Sequence, residues 1–302
     1  MQMNAQKKQL LVWGALALAG VAAAILVLPL LSGPRGPRFE EIFGRTIMKA
    51  RLVGQMRVSL LAAAEAEKSA VLAETDEASV EFARRARLSV GQVATALAEC
   101  KGLVSAQTPD ADMLQRFEEG FGEYRKVDEE VLALAVQNTN LKAQALSFDQ
   151  ASAALARMEQ ALSQHLKAPR GTPQAVQAGR LAARALAEAL RIQTLHAPHI
   201  MEKTEARMDE LEARMAKADK LVRASLASLS DQGGQAAVVP ALAAYEDFRK
   251  VTAEVVRLSR QNTNVLSLAL SLDRKTKVLA VCDEALRALE EKIQADMAKG
   301  TR

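Results

Sequence analysis

Apolar residues recur at alternating steps of three and four along two long stretches of this chain. The first stretch runs through Tyr124, Val127, Val131, Leu134, Leu141, Phe148, Leu155 and Leu162, and the second through Tyr245, Phe248, Val251, Val255, Leu258, Val265, Leu272, Leu279 and Leu286. This spacing keeps side chains on one face of an α-helix and is typical of a seam in a helical bundle. The pattern therefore predicts an all-α fold built on two long helices.

Turn-forming segments divide the remaining sequence into shorter helices. The segments ETDEAS, AQTPDAD and APRGTP predict the ends of helices at about residues 39–74, 77–107 and 110–167. In the second half, HAPH at residues 196–199 and SDQGGQ at residues 230–235 supply the corresponding breaks. The sequence thus predicts six helices in the order short, short, long, repeated once.

The two halves of this pattern are copies of each other. Residues 124–149 and 248–273 are identical at 14 of 26 positions without a gap, and the identities include RKV, QNTN and ALS. Chance similarity between alanine-rich helices would not preserve a polar QNTN. We infer that a three-helix unit is duplicated, with repeat units at about residues 38–168 and 172–300.

A long helix of about 58 residues would extend roughly 87 Å, too far for one compact core. We expect the two long helices to lie side by side within two four-helix bundles that are stacked end to end. The expected distal bundle contains residues 77–138 and 201–262, and the proximal bundle contains residues 38–75, 139–168, 174–197 and 263–300. Both QNTN segments would then lie at the junction.

Residues 10–31 form a run of 22 uncharged residues, LLVWGALALAGVAAAILVLPLL. A helix of this length crosses a hydrocarbon core of roughly 30 Å, and its apolar core is longer than that of a cleavable signal peptide, which is the alternative. Lys7 and Lys8 precede it and favour a cytoplasmic tail at residues 1–9. We therefore expect a single-pass protein of the inner membrane, with residues 38–302 in the periplasm.

Charge and motif content argue against nucleic-acid binding and catalysis. The formal net charge is +4, but basic and acidic residues alternate along the helices, and only 3% of residues are aromatic. Such alternation is typical of solvated helix faces. The sequence has no nucleophile elbow, phosphate-binding glycine loop or metal-ligand motif, so we expect neither an enzyme nor a cofactor.

The histidines and cysteines are interpreted as structural residues rather than as metal ligands or disulfide partners. His196 and His199 flank Pro198, which marks a helix break, so we expect them and His165 on the surface or in turns rather than on a metal. The predicted packing places Cys100 and Cys282 in different bundles, tens of ångströms apart at roughly 1.5 Å per residue. Each should be a buried, unpaired thiol.

The duplicated bundle resembles the helical bimodular sensor domain of bacterial methyl-accepting chemotaxis receptors. The resemblance covers about residues 38–300 and also rests on AEAEKSAVLAETDEASVEFARRAR at residues 64–87, which is similar to the first helix hairpin of such domains. It implies a periplasmic domain that dimerises, binds small organic acids or similar metabolites between helices, and transmits a helix displacement. Such receptors continue into a second span and a signalling coiled coil, which this sequence lacks.

Two interpretations of the repeated asparagines remain open. In the first, Asn138 and Asn262 bond each other across the seam and fix the register of the long helices. In the second, they line a polar pocket for an organic anion together with Thr276 and Arg57, or with Arg51 in place of Arg57.

The leading functional hypothesis is a membrane-anchored chemoreceptor-like sensor that binds a small organic ligand, with a second copy or another membrane protein as partner. The alternative is a structural or assembly subunit that scaffolds a larger membrane complex.

Overall fold

The structure is a computed structural model that describes residues 37–167 and 171–300. The described residues form helices without strands, which confirms the all-α prediction. The helices are α1 (Pro37–Val71), α2 (Asp76–Leu103), α3 (Pro109–Ala135), α4 (Thr139–Leu146), α5 (Ser152–Leu166), α6 (Pro173–Met201), α7 (Glu205–Leu229), α8 (Gln235–Gln261), α9 (Thr263–Leu270) and α10 (Thr276–Gly300). Three π-helical turns connect successive helices: π1 (Ser147–Ala151), π2 (Ser230–Gly234) and π3 (Ser271–Lys275).

Threonine caps begin three of these helices. The hydroxyls of Thr75, Thr108 and Thr172 accept hydrogen bonds from backbone N–H groups three residues later, at the starts of α2, α3 and α6. This capping satisfies donors that the first turn of a helix leaves free. The predicted breaks before these helices are therefore correct.

The prediction of two uninterrupted long helices is wrong. Asn138 (φ 50°, ψ 38°) and Asn262 (φ 53°, ψ 33°) are left-handed and break each long helix at QNTN. Asparagine tolerates this conformation better than most residues. At SDQGGQ the chain leaves the helical conformation at Gln232 (φ −88°, ψ 15°) and Gly233 (φ 86°, ψ 10°), so the predicted break there is correct. The predicted count of six helices is wrong because QNTN divides each long helix.

The helices pack into two groups of four around separate apolar cores. The first bundle contains α1, α2, α3 and α9–α10, and the second contains α4–α5, α6, α7 and α8. The long helices are antiparallel: Asp110, Gly120 and Asp128 lie beside Lys292, Cys282 and Lys275 respectively. They cross at QNTN, where the two bundles meet.

This composition corrects the predicted bundles, which separated α1 from α2 and α6 from α7. Only residues 72–75 connect α1 to α2, and only residues 202–204 connect α6 to α7. Connections this short force consecutive helices to pack as antiparallel neighbours. Residues 77–138 therefore pack with α1 and α10 and not, as predicted, with residues 201–262.

The two bundles are built alike, so residues of the first bundle have structural equivalents in the second. For the third helix of each unit the shift is 124 residues, as in the QNTN repeat. For the first two helices it is 129, the separation of the capping residues Thr75 and Thr204. The same shift carries the buried face of α1 onto that of α6.

Cys100 and Cys282 lie in the same bundle, contrary to the prediction. Both are buried, free thiols within one apolar cluster of the first bundle. Burial raises the pKa of Cys100 to about 11 and that of Cys282 to about 12. The error has the same source as the wrong bundle composition, because α10 runs back along α3 rather than away from it.

The first and last described helices reach the same end of the molecule. Lys49 of α1 lies 2.5 Å from Asp110 at the start of α3, and Lys292 near the end of α10 lies 4.0 Å from the same carboxylate. The start of α1 and the end of α10 are therefore together, at the end of the first bundle remote from the crossing. We call this the outer end of the first bundle.

The predicted membrane span at residues 10–31 and the tail at residues 1–9 lie outside the described residues. Among residues 37–167 and 171–300, no helix combines the length and the apolar character needed to cross a bilayer.

Two glycines of α3 should respond oppositely to substitution. A Cβ on Gly120 would lie 3.2 Å from Val281 and 3.4 Å from Cys282 on α10, whereas a Cβ on Gly122 would contact nothing. Gly120→Leu should therefore lower the free energy of unfolding by about 1–3 kcal/mol through overpacking. Gly122→Ala should raise it by about 0.5–1 kcal/mol. Urea unfolding measures both, and a tolerated Gly120→Leu would contradict the close α3–α10 approach.

Candidate functional site

The crossing of the long helices is held by hydrogen bonds that each copy supplies to the other. The backbone N–H of Thr139 donates to the hydroxyl of Thr263 at 3.2 Å, and that of Thr263 donates to the hydroxyl of Thr139 at 3.1 Å. The two hydroxyls lie 3.1 Å apart and share a further bond. Each broken helix is thus capped by the other repeat unit rather than by its own.

The second asparagine of each QNTN segment repeats this exchange one residue later. The backbone N–H of Asn140 donates to the side chain of Asn264 at 3.1 Å, and the reverse bond is 3.2 Å. The side chain of Asn140 also donates to the backbone oxygen of Ile200 at 2.6 Å. At each helix start, two backbone N–H groups that have no partner within the helix are therefore hydrogen-bonded. Leaving one such buried group unpaired would lower the free energy of unfolding by about 1–3 kcal/mol.

Asn138 and Asn262 do not bond each other, so that part of the prediction is wrong. Asn138 accepts from Asn264 at 3.0 Å and Asn262 accepts from Asn140 at 2.8 Å. The amide of Asn138 donates to Asp76 at 2.9 Å and to Ser79 at 2.8 Å, and that of Asn262 donates to the backbone oxygen of Glu202 at 2.8 Å. Both side chains are buried and fully engaged.

The remaining predicted site residues are not assembled around these asparagines. Arg57 reaches from α1 to α10, where it donates to Asp283 and Glu290 at 3.1 Å each. The hydroxyl of Thr276 donates to the backbone oxygen of Ser271, and Arg51 is exposed on α1. The structure therefore brings Asn138 and Asn262 to one place but forms no pocket from the five predicted residues.

A groove lies between α2 and α3 in the first bundle. A cavity of about 590 Å³ joins one of about 330 Å³ through the shared lining residues Ala94, Gly122 and Arg125. Gly91 and Gly122 keep it open, since neither faces an atom that a side chain would meet. Two ion pairs bridge the groove, Arg87 with Glu129 at 2.7 Å and Lys101 with Glu118 at 2.7 Å.

Arg125 lies between these two ion pairs and lines both cavities. No hydrogen bond or ion pair of its guanidinium group occurs within the described part of the chain. Beside it the groove is apolar, with Val90, Leu97 and Phe121 contributing to the lining. An unpaired guanidinium beside an apolar surface is suited to an organic carboxylate.

The equivalent groove of the second bundle is smaller, and its arginine is paired. It lies between α7 and α8 and encloses about 240 Å³. Arg249, the equivalent of Arg125, lies 3.0 Å from Asp219 and 2.8 Å from Glu246. The hydroxyl of Tyr245 also donates to Asp219 at 2.8 Å. The duplicated RKV motif thus has one paired arginine and one unpaired arginine.

His196 and His199 are buried, so the prediction that they lie on the surface or in turns is wrong. Pro198 does not end α6, which continues to Met201. Nδ1 of His196 lies 2.9 Å from the hydroxyl of Ser147, and its ring stacks on Phe248. Burial, and then the charge of His199, lowers the pKa of His196 to about 4. Only His165 is partly exposed, at the end of α5.

Both ring nitrogens of His199 have polar partners. The hydroxyl of Ser259 donates to the backbone oxygen of His199 at 2.8 Å and lies 2.7 Å from Nδ1. Nε2 faces a carboxylate oxygen of Glu212 at 2.9 Å, which also accepts from Arg260. Burial raises the pKa of Glu212, but bonds from Arg260 and His199 hold it below its usual value. Among the described residues no group of His, Cys, Asp and Glu side chains could hold a metal ion.

Removing either threonine hydroxyl at the crossing should destabilise the fold. Thr139→Val and Thr263→Val each leave one buried N–H without an acceptor and should each lower the free energy of unfolding by about 1–3 kcal/mol. The double variant should lose less than the sum, because the two hydroxyls share a bond. Thr276→Val, at an exposed position, is the control and should change stability by less than about 0.5 kcal/mol. If the double variant lost the sum of the two single losses of unfolding free energy, the reciprocal arrangement would be contradicted.

His196 should make the protein acid-sensitive. Its folded-state pKa of about 4 lies below the ordinary value of 6.5, so its contribution is present above pH 6.5 and lost as pH falls toward 4. Relative to His196→Gln, the wild type should lose up to about 3 kcal/mol of unfolding free energy over that window. His165→Gln, at a partly exposed site, should keep the wild-type pH dependence. If the unfolding free energies of the wild type and His196→Gln changed equally with pH, His196 would not be a neutral buried imidazole.

No protein-family model, no curated protein and no solved structure matches this chain. Its function is therefore proposed from the geometry described above.

Proposed function

We propose that the chain is a membrane-anchored periplasmic sensor domain that binds a small organic anion in the groove between α2 and α3. The observation that carries this proposal is the unpaired Arg125, held between two ion pairs in an open groove of about 590 Å³. The resemblance to chemotaxis-receptor sensor domains supports the same function. In this proposal residues 10–31 anchor the chain, residues 1–9 are cytoplasmic, and a second copy or another membrane protein receives the signal.

Arg125 gives the groove a charge preference. A guanidinium group binds a carboxylate through two parallel hydrogen bonds, and the neighbouring apolar lining can contact the carbon skeleton of an organic anion. Arg249 cannot act in this way in the second bundle, because Asp219 and Glu246 already occupy its donors. The proposal therefore assigns one ligand site to the first bundle and none to the equivalent position of the second.

The packing of α3 suggests how occupancy of the groove would be transmitted. α3 forms one wall of the groove, and its opposite face packs on α10, which ends at the outer end of the first bundle beside the start of α1. At its other end α3 is fixed by the crossing. A ligand that draws α2 and α3 together would therefore shift α10 relative to α1, at the end nearest the predicted membrane span.

Carboxylate binding should stabilise the full-length chain through Arg125. In a thermal-shift screen of mono-, di- and tricarboxylates, at least one compound should raise the melting temperature increasingly with concentration. Arg125→Ala should abolish the shift, since the groove loses its unpaired cation. Arg51→Ala removes an exposed arginine of the same bundle outside the groove and should preserve the shift.

The proposal would be withdrawn if no carboxylate stabilised the wild type. A shift that survives in Arg125→Ala would instead move the ligand site out of the groove.

The alternative function, a scaffold subunit of a membrane complex, is favoured by one observation. Val58 and Leu61 lie one turn apart on the exposed face of α1, Leu72 directly follows that helix, and Val58 and Leu72 each expose 69% of their surface. Contiguous exposed apolar side chains commonly mark a protein interface. Co-purification of stoichiometric membrane partners with the wild type, but not with a Val58→Glu, Leu61→Glu variant, would support this alternative.

A further inference from the structure

Three charged side chains are buried together in the first bundle, where α1, α3 and π3 meet. Nζ of Lys275 lies 2.7 Å from Glu67 and 2.5 Å from Asp128, and none of the three side chains is more than 4% exposed. The ammonium group also lies 5.0 Å from the ring centre of Tyr124. We call these three residues the buried ion cluster.

The buried ion cluster does not balance its own charge. Two carboxylates face one ammonium group, so with both acids ionised the cluster carries a net negative charge out of contact with water. Burying an uncompensated charge is strongly unfavourable, and such a site ordinarily changes its protonation state instead. One additional proton would make the cluster neutral.

Groups on the surrounding helices do not supply the missing positive charge. Arg87 of α2 approaches Asp128 but is held by Glu129 through bonds of 2.9 and 2.7 Å. The other titratable groups facing the cluster are Tyr124 of α3 and Cys282 of α10. Neither is a cation, so Lys275 is the only cation bound to the cluster within the described residues.

One carboxylate oxygen has room for the proton. Oε1 of Glu67 is buried without a hydrogen-bond donor among the described residues, and the hydroxyl of Tyr124 is buried without a partner. Burial raises the pKa of Asp128 above its ordinary value; Lys275 opposes this effect and the charge of Glu67 adds to it. The unsatisfied oxygen and the raised proton affinity both follow from the same excess of negative charge.

The second bundle shows that the fold does not need these ions. The positions equivalent to Glu67, Asp128 and Lys275 are occupied by His196, Thr252 and Ala151, and Phe248 replaces Tyr124. At neutral pH none of these side chains is charged, since His196 has a pKa of about 4. The same helices therefore pack at this level with or without an ion cluster. Its presence in one copy calls for a role other than support of the fold.

We propose that the Glu67–Asp128–Lys275 cluster is a proton-binding switch in the first bundle. With one bound proton it is neutral and ties π3, at the start of α10, to α1 and α3. Loss of that proton leaves a buried negative charge and loosens π3. The switch is tested without ligand, so it stands or falls separately from the proposed sensor site.

The sign of the pH dependence follows from the raised carboxyl pKa. Stability contributed by the bound proton is fully present below the ordinary carboxyl pKa and is lost as pH rises from there to the folded-state pKa of the cluster. Within that window, the unfolding equilibrium constant of the wild type should rise by up to about tenfold per pH unit relative to a variant that cannot take up the proton, and above it the ratio should level off.

Urea unfolding of the full chain between about pH 4 and about pH 9 tests the proton site. Asp128→Asn is nearly isosteric and leaves Lys275 paired with Glu67 alone, so its stability should not show this loss as pH rises. Asp273→Asn removes an exposed carboxylate of the same π3 turn and should retain it. Parallel pH profiles for the wild type and Asp128→Asn would overturn the proposal.

A second variant guards against a failure of Asp128→Asn to fold. The combination of Glu67→His, Tyr124→Phe, Asp128→Thr and Lys275→Ala copies the second bundle into the first, a packing that this chain already uses. It should fold, and its unfolding free energy should not fall with rising pH as that of the wild type does. Retention of that loss would overturn the proposal.

Amide hydrogen exchange tests the conformational part of the switch. As pH rises, exchange at residues 271–275 should accelerate more than exchange at the equivalent turn, residues 147–151, which has no ion cluster. Equal acceleration in the two turns would show that proton loss does not loosen π3, and the switch would be abandoned.

Discussion

The reciprocal capping at QNTN is the interaction on which the rest of the structure depends. A helix that breaks inside a protein leaves backbone donors without partners, and in a buried position water cannot satisfy them. Here the two breaks lie opposite each other, and Thr139, Thr263, Asn140 and Asn264 exchange the missing bonds. One break could not be satisfied without the other. This mutual requirement fixes the register and the antiparallel direction of the two long helices, and hence which helices share a bundle.

Duplication supplied the architecture, and divergence placed different polar groups in each copy. One turn from the crossing, the second bundle has His199, Glu212 and Ser259 where the first has Ala70, Ala83 and Ala135. Two turns further along α3, the first bundle has its ion cluster where the second has neutral residues. Each bundle therefore contains one buried polar cluster, at neighbouring levels on opposite sides of the crossing. Since both copies fold, neither cluster is demanded by the packing that the copies share.

The sequence predicts the helices far better than it predicts their partners. Threonine caps, proline at helix starts and apolar periodicity are local signals, and they located most helix ends. The packing direction of the long helices is not a local signal, and ignoring the short connections at residues 72–75 and 202–204 led to the wrong bundles. The same error separated Cys100 from Cys282. Pro198 misled in another way, because a proline one turn from a helix end need not terminate the helix.

The candidate site residues could likewise be predicted only as far as local sequence signals reach. Asn138 and Asn262 could be found because an asparagine in an apolar seam is conspicuous, but their partners, Asn264 and Asn140, required knowledge of the crossing. Arg125 belongs to the repeated RKV motif, yet the sequence alone cannot show that Arg249 is paired while Arg125 is not. Lys275 stands in a polar run, DRKTK, that is indistinguishable from a solvated helix face. Only packing reveals that this one lysine points inward.

Asp128 links the two proposed functions physically, because it belongs to the buried ion cluster and also lines the groove beside Arg125. A negative charge brought into the groove would raise the energy of the ionised Asp128 carboxylate, since electrostatic interactions are strong where water is excluded. Occupancy by an anion would therefore favour the protonated cluster, and the protonated cluster would favour occupancy by the same free energy. In this arrangement the groove and the buried ion cluster are coupled through one shared carboxylate.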